Sequence, residues 1–140
     1  MAKDTGHGAS ITFGTSALAF PWRKIGAVEQ DGEKVEDTDL SNTTYKSYLP
    51  GDVVEPGEFE IEYCFDAEED LPPVLTPETI TITAPVGSGQ SVAADLEGTG
   101  FIRSRTAFPE FATNGLQLGK MTVCFDGKTG PALTPATPTP

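Results

Sequence analysis

The most regular alternation of hydrophobic and polar positions lies at 58–65, in the segment EFEIEYCF. Its apolar positions are Phe59, Ile61, Tyr63 and Phe65. Because successive side chains of a strand point to opposite faces of a sheet, strict alternation predicts a half-buried antiparallel strand. The apolar face is expected to pack in the core, and the other face carries Glu58, Glu60 and Glu62.

Shorter alternating stretches predict further strands at 79–83, from 92 towards 102, and at 116–125. The apolar side of the last strand is formed by Met121, Val123 and Phe125. A strand at 25–29 leads to Asp31-Gly32, a dipeptide typical of two-residue hairpin turns, which would place Val35 on the returning strand.

Fifteen glycines and twelve prolines interrupt the chain and favour short strands and turns over long helices. Ser41 is a candidate N-cap for a short helical turn at 41–48. The fold class predicted from about six or seven short strands is mainly β, an antiparallel β-sandwich or small barrel with at most one short helix.

The 140 residues suit one domain. The polarity of the first residues predicts a flexible N-terminal arm at 1–20, followed by a β domain at 21–126 and a Pro/Thr-rich tail at 127–140. Within the domain, residues 36–57 are polar and predict a long loop, and loops of that length are commonly functional.

The charge balance excludes some classes of partner. Nine basic and 21 acidic side chains give a net charge of −12, which argues against a protein that grips phosphates and is compatible with a surface past which DNA slides. No apolar stretch approaches the roughly 18 residues of a membrane span. Without a secretory signal, an intracellular product is expected, with Cys64 and Cys124 reduced.

Catalytic and metal-binding patterns are missing from the sequence. The single histidine, His7, lies between glycine-rich neighbours, and there is no nucleophile elbow, P-loop or dinucleotide fingerprint. The acidic cluster of Asp66, Glu68, Glu69 and Asp70 lacks the spacing of an EF-hand and indicates a solvated strand end. No enzymatic activity, metal or cofactor is therefore expected.

The order of several motifs resembles the tail tube (major tail) proteins of tailed bacteriophages. The matching segments are Ile25-Gly26-Ala27-Val28, Asp37-Thr38-Asp39-Leu40-Ser41, Tyr48-Leu49-Pro50-Gly51, Glu55-Pro56-Gly57-Glu58-Phe59-Glu60-Ile61 and Leu96-Glu97-Gly98-Thr99-Gly100-Phe101-Ile102. One departure is that tube proteins usually have a helix after the alternating strand, whereas 66–78 contains three prolines and should not be helical.

The resemblance implies a virion protein, assembled in the host cytoplasm, that forms hexameric rings stacked into a tube for DNA ejection. Its partners would be copies of itself and other tail proteins such as the tape measure, terminator and tail tip; DNA would pass without specific binding, and the chain would bind no membrane. The residues expected to line the channel are Glu58, Glu60, Glu62, Asp95 and Glu97. Those expected at contacts between subunits or rings are Asp37, Asp39, Leu40, Tyr45, Tyr48, Pro50, Val53 and Val54.

Three alternatives stay open. A row of glutamates on a strand is often only a wet surface that discourages edge pairing. The chain could be another part of a tail or injection machine, such as a terminator, a connector or the tube of a contractile system. It could also be an Ig-like binding module, for which Trp22, Tyr45 and Tyr48 are the candidate exposed aromatics.

Overall fold

The fold was analysed in a computed structural model that describes residues 8–41 and 43–139. The ten strands are β1 (Ser10–Phe13), β2 (Trp22–Ile25), β3 (Glu29–Glu36), β4 (Tyr48–Cys64), β5 (Glu78–Thr83), β6 (Gln90–Val92), β7 (Asp95–Arg105), β8 (Leu118–Phe125), β9 (Ala132–Thr134) and β10 (Thr137–Pro138). No helix occurs in the described residues, and hence none that could span a membrane. The mainly β class is confirmed.

Eight strands form one antiparallel sheet in the order β1-β5-β7-β8-β4-β2, with β3 also paired to β4 and β9 to β7. Strands β6 and β10 pair separately. The sheet curls around its apolar face, because side chains from the two ends of this order touch: the rings of Phe13 on β1 and Trp22 on β2 lie 6.1 Å apart.

The pairing of β4 with β8 forms the centre of the core. Phe59 lies opposite Val123 and Ile61 opposite Met121, and all four side chains are buried. Burial of each such side chain contributes about 1.5–3 kcal/mol. The alternation predicted at 58–65 is confirmed as far as Cys64, where β4 ends.

The flexible arm predicted at 1–20 is wrong for its second half. Strand β1 pairs with β5, and Ile11, Phe13, Leu18 and Phe20 are buried in the core. Burial of these four apolar side chains stabilises the segment against the sheet, although the residues before it are polar. The first seven residues, with His7, lie outside the described part of the chain.

The hairpin predicted at Asp31-Gly32 is also wrong. Both residues lie inside β3, where Asp31 pairs with Glu55 and Gly32 with Val54. The long-range ladder with β4 overrides the local turn preference of this dipeptide. The long loop predicted at 36–57 is consequently shorter, since β4 begins at Tyr48.

Turns closed by a carboxylate form in two connections, and the helical turn predicted at 41–48 is absent from the described residues. At 41–48, the Ser41 backbone N–H and hydroxyl both donate to Asp39 Oδ1, so Ser41 closes a side-chain turn instead of capping a helix. After β4, the Glu68 N–H donates to Asp66 Oδ1 at 3.0 Å. The segment 66–78 is not helical, as its prolines predict.

The C-terminal tail predicted at 127–140 is joined to the sheet. Strand β9 pairs with β7 from Asp95 to Glu97, and β10 pairs with β6. Both short strands are exposed. Backbone hydrogen bonds, not apolar burial, therefore hold the tail.

Glu78 is a buried charged residue that anchors the connection after β1. It is 6% exposed, and its Oε1 accepts hydrogen bonds from the N–H groups of Thr15 and Ser16 and from the Ser16 hydroxyl, at 3.2, 3.0 and 2.9 Å. One carboxylate thus satisfies three donors and ties this loop to the start of β5.

Replacing Glu78 with alanine should lower the free energy of unfolding by roughly 2–3 kcal/mol, because the loop donors lose a charged acceptor. Urea denaturation measures the change. The control Glu110→Ala removes an exposed carboxylate and should stay within about 0.5 kcal/mol of the wild type. Equal urea concentrations at the unfolding midpoints of the two variants would contradict this role of Glu78.

Candidate functional site

A two-stranded hairpin projects beyond the main sheet. Strand β3 pairs with β4 from Tyr48 to Glu58, whereas β8 pairs with β4 only from Glu58 to Cys64. The first ten residues of β4, 48–57, therefore have β3 on one side and no strand on the other among the described residues. All eight residues of β3 are exposed, and at about 3.3 Å per residue the projection reaches about 26 Å.

Two glycines allow the hairpin to leave the sheet. Gly57 has φ +115°, and a Cβ there would lie 2.7 Å from Val28 Cγ1. At Gly26, a Cβ would lie 2.7 Å from the carbonyl oxygen of Glu60, to which the Gly26 N–H donates. Both glycines belong to the motifs of the sequence resemblance, and here they permit close backbone approach.

The hairpin exposes large apolar side chains. Val35 lies opposite Leu49, and both are about half exposed. On the other face, Lys34 Nζ lies 4.4 Å from the centre of the Tyr48 ring, a cation–π contact. Between the pairs Gly32–Val54 and Lys34–Pro50, β4 carries two more residues than β3. Such a bulge redirects side chains.

The residues expected at subunit contacts lie on this hairpin or its connecting loop, and all are exposed. They are Asp37, Asp39, Leu40, Tyr45, Tyr48, Pro50, Val53 and Val54. Leu40 and Tyr45 are 104% and 82% exposed. Trp22, by contrast, packs against the core, so it does not supply the loop aromatic that a binding module would use.

Much of the charge of the chain lies on the hairpin. From 29 to 55 there are eight acidic and two basic residues, a net charge of −6, which is half of the total of −12. Lys46 Nζ lies 3.9 Å from Glu36 Oε1. Hydrogen bonds from the hydroxyl and N–H of Ser41 lower the pKa of Asp39, so this carboxylate stays ionised at neutral pH.

The predicted row Glu58, Glu60 and Glu62 lies on the outer face of β4, opposite the buried positions. Basic residues of β2, β7 and β8 lie near this row. Arg103 Nη2 lies 2.9 Å from Glu58, and Lys120 Nζ lies 3.9 Å from Glu60. Glu62 is paired in register with Lys120 on β8 and Lys24 on β2. The row is thus a mixed-charge surface.

The other predicted channel residues lie on β7. Asp95 is half-buried and Glu97 is exposed; by the register of β7 and β8 they share the outer face with Phe101, which pairs with Cys124. Cys124 in turn pairs with Glu58. The outer face therefore runs from β7 across β8 to the glutamate row. Burial, followed by the charge of Glu58, raises the pKa of Cys124, which keeps this thiol protonated at neutral pH.

The two cysteines are far apart. Cys64 pairs with Leu118 and Cys124 with Glu58, so they lie at opposite ends of the β4–β8 ladder, about 20 Å apart at 3.4 Å per residue. A disulfide requires Cα atoms within about 7 Å. Among the described residues, no three His, Cys, Asp or Glu side chains are grouped as for a metal ion.

An apolar groove at the seam of the curled sheet was missed by the sequence analysis. Its volume is about 360 Å³. It is lined by Ala9, Ile25, Gly26, Val28, Ile82, Thr83, Ala84, Pro85, Ala94, Asp95, Leu96 and Leu133. These positions come from five separate segments, so no single stretch of sequence shows a pattern from which the groove could be predicted.

The fold is similar to that of a chain in the cryo-EM structure of an extracellular contractile injection system, described as the PVC sheath/tube terminator in its extended state. The TM-score is 0.70, the sequence identity is 13%, and the match covers 96% of this chain and 96% of the other. The predicted tail-tube-like β fold is confirmed.

At 13% identity the likeness concerns the fold alone. No family model matches the chain, and no curated protein matches its sequence significantly.

Gly57→Ala should destabilise the root of the hairpin by about 1–3 kcal/mol, because alanine is strained at this positive φ and its methyl group meets Val28. Gly32→Ala, in the same hairpin, is the control: a Cβ there has no heavy atom within 4 Å. Urea denaturation and amide hydrogen exchange report the difference. Equal stability of both variants would show that the root does not depend on Gly57.

Proposed function

We propose that this chain is a non-enzymatic structural subunit of a phage tail or related injection machine, which assembles with copies of itself into stacked rings. The observation that carries the proposal is the projecting hairpin. It has exposed faces, exposed apolar side chains and, on 48–57, one edge that no strand of the described part of the chain pairs with. An isolated two-stranded hairpin is marginally stable in water, so a neighbouring subunit is expected to cover it.

Strand edges supply the contacts within a ring. Among the residues that the structure describes, β1 pairs only with β5, and β2 only with β4. Open edges of this kind invite pairing with another chain, and closure of sheets between copies would remove them. The hairpin then contacts the next ring, a heterologous contact that generates an open tube. The similar fold in a contractile injection system supports this assignment.

The channel surface in this proposal is the outer face that carries Glu58, Glu60, Glu62, Asp95 and Glu97. The basic neighbours Lys24, Arg103 and Lys120 reduce its charge, leaving a net −2 for these eight side chains. Such a wall is weakly repulsive towards DNA, which neither binds to it nor is held away from the bore. A strongly basic wall would instead hold the phosphates.

Assembly is tested by negative-stain imaging and sedimentation of the purified full chain at rising concentration. We expect uniform cylinders with a central bore. A chain that stays monomeric over the whole range, and also in the presence of the other tail proteins, would overturn the proposal.

A tube terminator is the second candidate, favoured by the description of the structure with the similar fold. In this second function, the chain would form one ring to which no further ring is added. Imaging separates the two functions: single rings without longer cylinders would favour the terminator, and long cylinders would favour the tube.

The double variant Glu60→Lys with Glu62→Lys should form particles that retain duplex DNA, because two charges per subunit are reversed on the proposed channel face, which changes its net charge by +4. Retention should fall steeply as salt rises. The control is Glu68→Lys with Glu69→Lys, which makes the same charge change on an exposed turn. Filter retention of labelled DNA measures both; equal retention would contradict the channel placement.

A further inference from the structure

Half of the apolar groove is formed by segments that carry no charge. No charged residue occurs in the sixteen positions 79–94 or in the tail after Lys128, and these segments supply six of the twelve lining residues. Asp95 is the one charged residue in that lining. Exposed apolar side chains lie on the same segments: Val86, Val92 and Leu133 are 60%, 56% and 66% exposed.

Charge limits how two copies of this chain can meet. Each copy carries −12, and like charges repel within a Debye length of about 8 Å at physiological salt. A contact that brought two hairpins together would oppose two segments of −6 each. A contact between the hairpin of one copy and the groove of another avoids opposing these two segments and buries apolar surface on the receiving copy.

The hairpin supplies matching apolar side chains. Val53 and Val54 are 68% and 62% exposed and lie where the bulge in β4 interrupts the regular ladder with β3. The hairpin begins beside the groove, since Ile25, Gly26 and Val28 line it, and projects about 26 Å from there. The hairpin of one copy can therefore reach beyond its own groove to that of another.

We infer that the seam groove of one copy receives the apolar side chains of the hairpin of the next copy, with Val53 and Val54 as the inserted residues. This inference rests on the proposed function and adds the identity of the two contacting surfaces. Donor and acceptor are different parts of the chain, so the contact is heterologous and propagates in one direction.

Two variants test the contact: one alters the hairpin and the other alters the groove. Val53→Thr with Val54→Thr keeps the shape and strand preference of valine but places hydroxyl groups in an apolar site, and should weaken association at least tenfold. Leu133→Asp places a charge in the groove at a position that is 66% exposed, and should weaken association to a similar extent. Leu116→Asp is the matched control, because Leu116 is also 66% exposed and lies outside the groove lining.

The experiment measures particle mass by sedimentation and mass photometry for each variant alone and for their equimolar mixture. Each variant alone should stop at the smallest unit that the other contacts allow. The mixture should give particles of twice that mass, because the intact groove of one variant receives the intact hairpin of the other. Leu116→Asp should form particles like the wild type, and unfolding curves should show that all variants are folded.

The outcomes separate the inference from the proposed function. If the wild type elongates and either variant alone elongates equally well, the inference is overturned while the proposed function stands. If both variants stop but their mixture gains no mass, the head-to-tail pairing is overturned. If the wild type itself never associates, the proposed function fails and the inference with it. Rising salt should strengthen wild-type association; weakening by salt would indicate charge pairing and would also overturn the inference.

Discussion

The register between β4 and β8 is the constraint on which the rest of the structure depends. Seven successive pairs, from Glu58–Cys124 to Cys64–Leu118, place one apolar row against another. A shift by one residue would turn the buried side chains to solvent and the glutamates to the core. The same register that buries Phe59 and Ile61 therefore also fixes the outer face, on which Glu60 lies beside Lys120.

The point where β8 stops pairing determines where the hairpin begins. Beyond Glu58, β4 continues for ten residues towards Tyr48, and within the described ranges only β3 pairs with it there. The apolar side chains of this extension have no core to enter, and its acidic residues discourage uncontrolled pairing of its edges. Exposure of these apolar side chains to water costs free energy in a monomer, and their burial between subunits would remove that cost. This is the physical reason for proposing that the segment forms contacts in an assembly.

Charge is unevenly distributed along the chain. The hairpin holds half of the net charge, whereas the segments 79–94 and 129–140, which supply half of the lining of the seam groove, are uncharged. In the proposed assembly, this distribution favours contacts between unlike parts of two copies over contacts between like parts. The glutamate row contributes less to repulsion than its sequence implies, because Arg103 of β7 and Lys120 of β8 lie close to Glu58 and Glu60.

The sequence by itself determined the elements whose signal is local. Strict alternation identified the core half of β4 and the strand β5, and the prolines of 66–78 excluded a helix after β4. Tertiary structure decided what depends on partners distant in sequence: β3 formed across Asp31-Gly32, β1 joined the sheet, and Glu78 met a loop more than sixty residues away. Short-range preferences are weak compared with a full ladder of hydrogen bonds and buried area, so they yield where the two compete. The cation neighbours of the glutamates and the seam groove likewise arise only when separate strands are brought together.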